Sequence, residues 1–541
     1  MLARLALVFA VCLAFGAVDR AVGNPAEAAQ PVASDTVVAS TADHSRFEVL
    51  NQKFSSGPEV TRACLGCHNQ AARQIHSTKH WTWQFFNVKT GQLLGMKNVV
   101  NNSFMSVSSN LPFCTRCHIG FEWTDETFDF SSEEQVDCLA CHDTTGTYGL
   151  KRMHLRKAKC SGCHVAYDRK KVRDVMRKPD FSDLAIKVGK TNRASCGSCH
   201  FRADGGDGVK HGDLDSSLID AGRKVDVHMA KNGLDFACTT CHETDQHRVK
   251  GSRYAPETKD VRGMDVVGGS RATCESCHGL GPHQGDTGSK LNDHVDRVAC
   301  QTCHIPEIAR GGVATKVYWD WSTAGRLNDA GKQIVERDEQ GRIVYSTKRG
   351  DGRWAENLVP DYVWFNGEIE YVTLGDKIDP SKLVHIAIPS GAADDPRSRI
   401  WPVKTLLGKQ PYDAGNSTLA AAHLFGKDQE AYWKSFDWEK SIAAGMKAGG
   451  HEFSGKFDFV ETETHIPINH MVAPAEDAVS CGSCHDKNGR MEMISGVYIP
   501  GRDANPFLDF AGIAMILGTL AGVCGHGVVR MVMKIRAGRK S

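Results

Sequence analysis

The chain has 541 residues, 20 Cys, 24 His and a formal net charge of +1. That length leaves room for two or three domains. A hydrophobic content of 41% with 24% charged residues excludes a disordered chain, collagen and a multi-span membrane protein, and the near-neutral charge gives no footprint for nucleic acid.

In chain order, an apolar run comes first. Leu2–Val18 follows Arg4, and Ala26-Glu27-Ala28 offers a small-residue cleavage site, so residues 1–28 read as a secretory signal peptide. Residues 29–304 then carry eight copies of Cys-x-x-Cys-His, and a ninth falls within 481–505. The copies are Cys64, Cys67, His68; Cys114, Cys117, His118; Cys138, Cys141, His142; Cys160, Cys163, His164; Cys196, Cys199, His200; Cys238, Cys241, His242; Cys274, Cys277, His278; Cys300, Cys303, His304; and Cys481, Cys484, His485. Composition alone would produce about 0.03 such matches. Two thiols three residues apart can add to the two vinyl groups of a haem, and the adjacent His can reach its iron. Nine copies therefore point to nine covalent haem c groups, and the repeated His argues against zinc or thiol exchange. The two other cysteines, Cys12 and Cys524, lie in apolar end segments, so no cysteine remains for a structural disulfide in the soluble part.

Eight haems in about 240 residues cannot each have a protein core, so they are expected to pack on one another. Fifteen His lie outside the motifs. His44 sits near the mature N-terminus and His526 in the C-terminal apolar run, which leaves thirteen for the distal positions. His76, His80, His211, His228, His247, His283, His294 and His470 lie in short polar loops and are the main candidates. His154, His385, His423, His451 and His465 are secondary. Residues 151–178 hold 11 Lys/Arg and two Asp, a net of +9. This is either an anion funnel or compensation for haem propionates. Asp204, Asp207, Asp213 and Asp215 around His211 form a candidate Ca²⁺ loop, with a solvated turn as the alternative.

Residues 305–480 carry no motif and are rich in aromatics. Asn366-Gly367 predicts a hairpin over 363–372 and Gly341 a second over 334–345. Residues 418–447 read as a helix. The segment is expected to pack its aromatics on the haem core. Finally, residues 506–541 contain the apolar run Phe510–Val529, long enough to cross a bilayer. Arg530, Lys534, Arg536, Arg539 and Lys540 follow it and place the tail in the cytoplasm. Gly518 and Gly522 would let a partner helix approach. The expected fold is mostly α-helix and irregular chain around the haems, with short β-hairpins and one transmembrane helix.

Several longer stretches carry a family resemblance. They are His80-Trp-Thr-Trp, Cys114-Thr-Arg-Cys-His-Ile-Gly-Phe, Cys138-Leu-Ala-Cys-His-Asp-Thr-Thr-Gly-Thr-Tyr, Cys196-Gly-Ser-Cys-His, Val209-Lys-His-Gly-Asp-Leu-Asp-Ser-Ser, Val225-Asp-Val-His, Cys300-Gln-Thr-Cys-His-Ile-Pro, Gly375-Asp-Lys-Ile-Asp-Pro-Ser-Lys, His423-Leu-Phe-Gly-Lys-Asp and Pro467-Ile-Asn-His-Met-Val-Ala-Pro. With these, the chain resembles the octahaem tetrathionate reductase-like c-type cytochromes from about residue 60 to 490. The resemblance implies a haem core related to hydroxylamine oxidoreductases and multihaem nitrite reductases. It also implies one distinctive iron at the second motif, Cys114–His118, ligated by a Lys that follows the third motif. Lys151 is the first candidate here and Lys157 and Lys159 are alternatives, so Lys151 and His118 are the expected catalytic residues. Beside the family's pattern the chain has the extra Cys160 motif, inserted next to that Lys, and every cysteine outside the apolar ends is spent on haem; it also has no Cys-x-x-Cys-Lys, the active-site signature of pentahaem nitrite reductases.

The expected function is a membrane-anchored periplasmic reductase of small inorganic sulfur or nitrogen compounds, with Lys79, Lys97 and Asp125 as candidate groups around substrate. The alternatives are an electron conduit between a membrane quinol partner and soluble periplasmic carriers, and an oxidase of the same substrates. The expected membrane partner is quinol-oxidising or of the cytochrome b type.

Overall fold

The computed structural model describes residues 42–100, 106–155, 178–259, 271–503 and 505–539. The expected signal peptide, Lys157, Lys159 and the Cys160–His164 motif lie outside the described residues. So does the His154 side chain.

The motif-bearing chain up to residue 304 is short helices and turns, with two-stranded hairpins pairing Phe85–Asn87 with Gln92–Leu94 and Thr244–Asp245 with Arg248–Val249. Three of its helices position the sites below. They are α1 (Gly57–Leu65), α2 (Tyr148–Leu155) and α3 (Arg193–His200).

The expectation of a mostly helical fold needs correcting. Residues 315–467 build one ten-stranded sheet. Its strands are β1 (Thr315–Asp320), β2 (Val335–Arg337), β3 (Ile343–Ser346), β4 (Gly350–Ala355), β5 (Asp361–Phe365), β6 (Ile369–Tyr371), β7 (Val384–Pro389), β8 (Arg399–Asp413), β9 (Thr418–Leu419) and β10 (Phe457–Pro467). The order is β6-β7-β10-β8-β1-β4-β3-β2, with β5 and β9 also paired to β8. The fifteen-residue β8 is the spine, antiparallel to β10 from Val403↔Pro467 to Asp413↔Phe457. Sequence patterning hides it. Pro402 and Pro411 sit within it, residues that usually exclude a central strand, and its inward polar residues Lys404, Gln410 and Asp413 are buried.

The hairpin expected at Asn366-Gly367 does not form. β5 pairs with β8 and β6 with β7, so the two strands part at that turn. Gly367 has φ +97° and a Cβ there would meet Pro256 O at 2.6 Å, so the glycine serves a close approach. The hairpin around Gly341 is present between β2 and β3. The helix expected over 418–447 shortens to Tyr432–Ser435 and α4 (Trp438–Ala448), the latter capped by Asp437. The stretch before it is strand and loop, because Ala420, Ala421 and Ala422 are wholly buried in the main core with Trp319, Trp321, Ile442 and Met446. A last helix, α5 (Pro506–Ala537), has no buried residue and is the one helix among the described residues long and apolar enough to cross a membrane.

Candidate haem sites and a divergent motif

Each described motif folds as roughly one helical turn, which puts both cysteines on one face and the His just behind. Seven of the eight motif histidines then face a second imidazole. The ring centroids are 6.4 Å apart for His68–His44, 6.1 Å for His200–His80, 6.4 Å for His142–His247, 6.2 Å for His242–His470, 6.0 Å for His278–His228, 6.1 Å for His304–His283 and 6.2 Å for His485–His294. Two metal–imidazole bonds of about 2 Å each, plus half a ring on each side, demand a spacing of about 6 Å. The residues therefore fit an iron between each pair.

Hydrogen bonds turn the rings for that role. His142 donates from Nδ1 to Gly189 O at 2.8 Å, His242 to Lys250 O at 3.0 Å and His485 to Pro500 O at 2.8 Å. Partner rings do likewise: His294 donates to Lys290 O at 2.8 Å, His247 to Gln74 Oε1 at 2.8 Å and His470 to Asp213 Oδ2 at 3.1 Å. Each bond leaves Nε2 free to face its opposite ring. Asp213 also accepts from the backbone N–H of Asn469 and His470, and its carboxyl is held low, at about 2, despite burial.

Six of the eight main distal candidates thus face a motif His: His80, His228, His247, His283, His294 and His470. His76 does not; it stacks on Trp81 at 4.5 Å. Neither does His211, which lies half-buried beside Lys210, Asp213, Arg253 and Lys404 and whose basicity is lowered by desolvation. His44, set aside from the sequence as too near the terminus, stands opposite His68; its distance of 20 residues upstream of Cys64 hid it. Of the secondary candidates, His385 and His465 pair with Glu463, and His423 bonds Ser109 O and Asp428.

The motifs lie in a row. The thiols of Cys64 and Cys138 are close enough to act on each other, as are those of Cys117 and Cys199, Cys196 and Cys238, and Cys274 and Cys300. Cys141 acts electrostatically on Cys199, Cys241 on Cys277 and Cys303 on Cys484. The order is therefore Cys64, Cys138, Cys196, Cys238, Cys274, Cys300, Cys481, and the Cys114 motif branches off at Cys199.

The Cys114 motif differs in every local respect. Its turn is tighter: the His118 N–H bonds Thr115 O, three residues back, where His68, His142, His242 and His278 bond four back. His118 is wholly buried among Trp81, Trp83, Trp123, Phe128 and Phe130, with ring centroids 4.8–5.8 Å away. The Gly120 N–H donates to its Nδ1 at 3.0 Å, so the proton sits on Nε2, which donates to Trp81 O at 2.7 Å. Backbone thus meets both nitrogens of the ring that the motif offers to iron. The run His80-Trp81-Thr82-Trp83 joins the two neighbouring sites, giving one ring to His200 and two indoles to the box.

Helix α2 is bolted to this motif by Arg152, a residue missed in the sequence. The buried guanidinium donates to Arg116 O, His118 O and Gly120 O and pairs with buried Asp137 at 2.5 Å. Tyr148 also donates to Asp137, at 3.0 Å. Lys151, one residue before Arg152, is half-buried on the same helix. Of the other expected groups, Lys97 lies 5.9 Å over Phe130 of the box and Lys79 lies 4.2 Å over Phe85. Asp125 is not at the site; it caps its own exposed turn at Thr127.

Near Cys114 lies a buried polar pocket. Asp204, left-handed at φ +61°, acts on Cys114 and pairs with buried Lys210 at 3.4 Å. Lys210, Arg253 and Tyr371 share with it the lining of a small cavity walled by Val99 and Val100. Burial and the Arg253 charge push Lys210 down to about 8. Lys404 beneath, lowered to about 7 by burial, donates to Val209 O at 3.0 Å, Lys210 O at 2.7 Å and Thr315. The expected Ca²⁺ loop is corrected here, for its carboxylates diverge: Asp204 goes to Lys210, Asp207 to Ser216, Asp213 to His470 and Asp215 to Ser217. No group of three or more metal-binding side chains is found among the described residues.

The family model described as cytochrome c bacterial matches residues 316–488, the sheet and the last motif. No curated protein matches the chain. The crystal structure of the octahaem cytochrome c from Shewanella oneidensis aligns with a TM-score of 0.69 and 36% identity, covering 83% of this chain and 95% of that one. With that identity over nearly all of the relative's length, and with the paired histidines in place, the chain belongs to the family of multihaem c-type cytochromes that includes the octahaem cytochrome c of Shewanella oneidensis.

Proposed function

We propose that the protein is a membrane-anchored periplasmic oxidoreductase that reduces small inorganic sulfur or nitrogen compounds, tetrathionate, nitrite or hydroxylamine, beside the Cys114 motif. One observation carries this reading: the Cys114 motif sets its His118 in a box of five aromatic rings, where the other seven described motifs set theirs against an imidazole, and Asp204, which acts on Cys114, lines a small cavity with Lys210 and Arg253.

The haems supply one-electron transfer when bound. The seven histidine pairs would hold six-coordinate irons, and the Cys160 motif would hold the ninth haem. For the Cys114 haem, Lys151 is the chain's own candidate ligand, carried to the motif by the Arg152 bolt. Lys210 and Arg253 would attract and orient an anion in the pocket, and Val99 and Val100 would keep water from it. Tyr371, hydrogen-bonded to Arg253, could hold a proton at its Oη. Exported haem attachment and α5 support the periplasmic side of an inner membrane, with a quinol-oxidising or cytochrome b-type partner. The row of histidine pairs favours a second reading, a conduit to soluble carriers in which no substrate is turned over; the same site run oxidatively is a third.

Purified full-length protein with nine haems confirmed by mass decides. Reduced viologen should drive turnover of at least one of the three substrates, with loss of more than about tenfold in Lys151→Ala at intact haem content. Absence of turnover together with purely six-coordinate low-spin spectra would leave the conduit.

A further inference from the structure

Where the sheet meets the row of motifs, one buried guanidinium is only half used. Arg399 opens β8, and the next residue is stitched to the Cys300 motif. Ile400 O accepts from the Ala299 N–H at 3.0 Å and from the Thr302 hydroxyl at 2.7 Å, and the Ile400 N–H donates to Arg297 O at 2.7 Å. The Arg399 side chain reaches the other way, to the Cys274 motif. Its Nη1 donates to Glu275, the residue after Cys274, and to Thr258 O at 3.0 Å. Arg399 and Glu275 are only 2% and 6% exposed, so the pair is interior. Both charges act on the thiols of Cys274 and Cys300. One residue thus ties two attachment sites together.

The other edge of this guanidinium has no acceptor. Nε and Nη2 of Arg399 are buried and meet no hydrogen-bond partner among the described residues. These two nitrogens form the planar fork with which arginine takes both oxygens of a carboxylate. Arg62 displays the engaged form at the surface, where its Nε and Nη2 donate to the two oxygens of Glu134 at 2.8 and 2.6 Å. The same fork without an acceptor is costly in the interior. Glu275 does not supply one, because it is taken up on Nη1. At the same motif the Thr273 hydroxyl is also buried with no partner among the described residues. The site calls for a fixed acceptor with two oxygens in one plane, and every haem attached along the row brings two carboxylates.

We propose that the Nε–Nη2 fork of Arg399 clamps a haem carboxylate at the joint between the Cys274 and Cys300 sites, which makes Arg399 a positioning residue that raises the potential of that haem. A guanidinium held beside a haem opposes the extra positive charge of the ferric state and so favours the ferrous one. The inference rests on haem attachment at these motifs and not on turnover beside Cys114. It holds equally for a reductase and for a conduit.

The test is a redox titration of the full-length holoprotein, isotope-labelled at the haem carboxylates, with each resolvable haem potential and the infrared carboxylate bands followed together. Arg399→Gln should lower one potential by about 60 mV, a tenfold change for one electron, and should shift one labelled carboxylate band. Arg62→Gln, exposed against Glu134, should do neither. Both signals must move in Arg399→Gln; if either stays in place, the proposal is overturned, whatever the viologen assay gives. A potential that falls with every band unmoved, for example, would mean that the charge acts at a distance and holds no carboxylate. Should Arg399→Gln fail to assemble its haems, Arg399→Lys replaces it. The ammonium keeps a cation beside Glu275 but has no fork, so the band should still shift while the potential falls less. An unmoved band in that variant overturns the clamp on its own.

Discussion

The motifs at Cys238 and Cys114 share a five-residue signature and differ in what surrounds it. His242 donates its Nδ1 proton to a carbonyl and faces His470, itself steadied by Asp213. His118 gives both nitrogens to backbone and sits among five aromatic rings. The signature specifies where a haem is attached; the loop that follows specifies what its iron meets. In the Cys238 motif that loop leads back to Lys250 O, and in the Cys114 motif it closes at once on Gly120.

The largest effect that could break this contrast is expected at Arg152. Arg152→Met strands buried Asp137 and frees α2 from the Cys114 turn. A loss of about 3–5 kcal/mol is expected in denaturant unfolding of the holoprotein, with spectral change confined to one haem. Equal change across several haems would show that α2 supports the whole row.

Next comes Lys404→Met, which leaves two carbonyls and Thr315 without their donor and should cost about 3 kcal/mol. It also carries a pH signature. Lys404 has a folded value of about 7 against 10.5 for an ordinary lysine. Between those values the unfolded chain binds the extra proton, so stability rises with pH through that window. Melting curves from pH 7 to 9 should show a rise in the wild type that the variant lacks; an identical slope in both would remove Lys404 as its source.

A third test acts on the paired side. His470→Ala removes one ring of a pair, so magnetic circular dichroism should gain one high-spin haem, and the signature of the Cys114 haem should be unchanged. The smallest effect is expected from Asp213→Asn. It removes a negative charge from behind His470, and one potential should rise by about 60 mV, a tenfold change for one electron. No shift would mean that the carboxylate acts only as a clamp for the chain at Asn469.

Attachment cysteines were legible from sequence because covalent chemistry fixes their spacing to one turn. Six of the histidines that face a motif His were legible because they sit in polar loops beside motifs. His44 was missed because it faces His68 from 20 residues upstream of Cys64, a separation that no local pattern records. The role of Arg152 was equally hidden: in a run of eleven cations nothing marks the one that turns inward to Asp137. The sheet escaped for a different reason. Strand β8 buries Lys404, Gln410 and Asp413 and contains two prolines. Its identity as the spine comes from partners far away in sequence and not from its own alternation.

The junction before α5 has a mechanical meaning. Pro500 O holds the ring of His485 at 2.8 Å, and Arg502 grips Asp503, Met491 O, Ile494 O and Val497 O. Between that grip and Pro506 lie only two residues, Ala504 and Asn505. At about 3.5 Å per extended residue, the Cys481 site hangs within roughly 20 Å of the point where α5 begins. With α5 in a bilayer, this end of the row would be leashed to the membrane surface however the body turns.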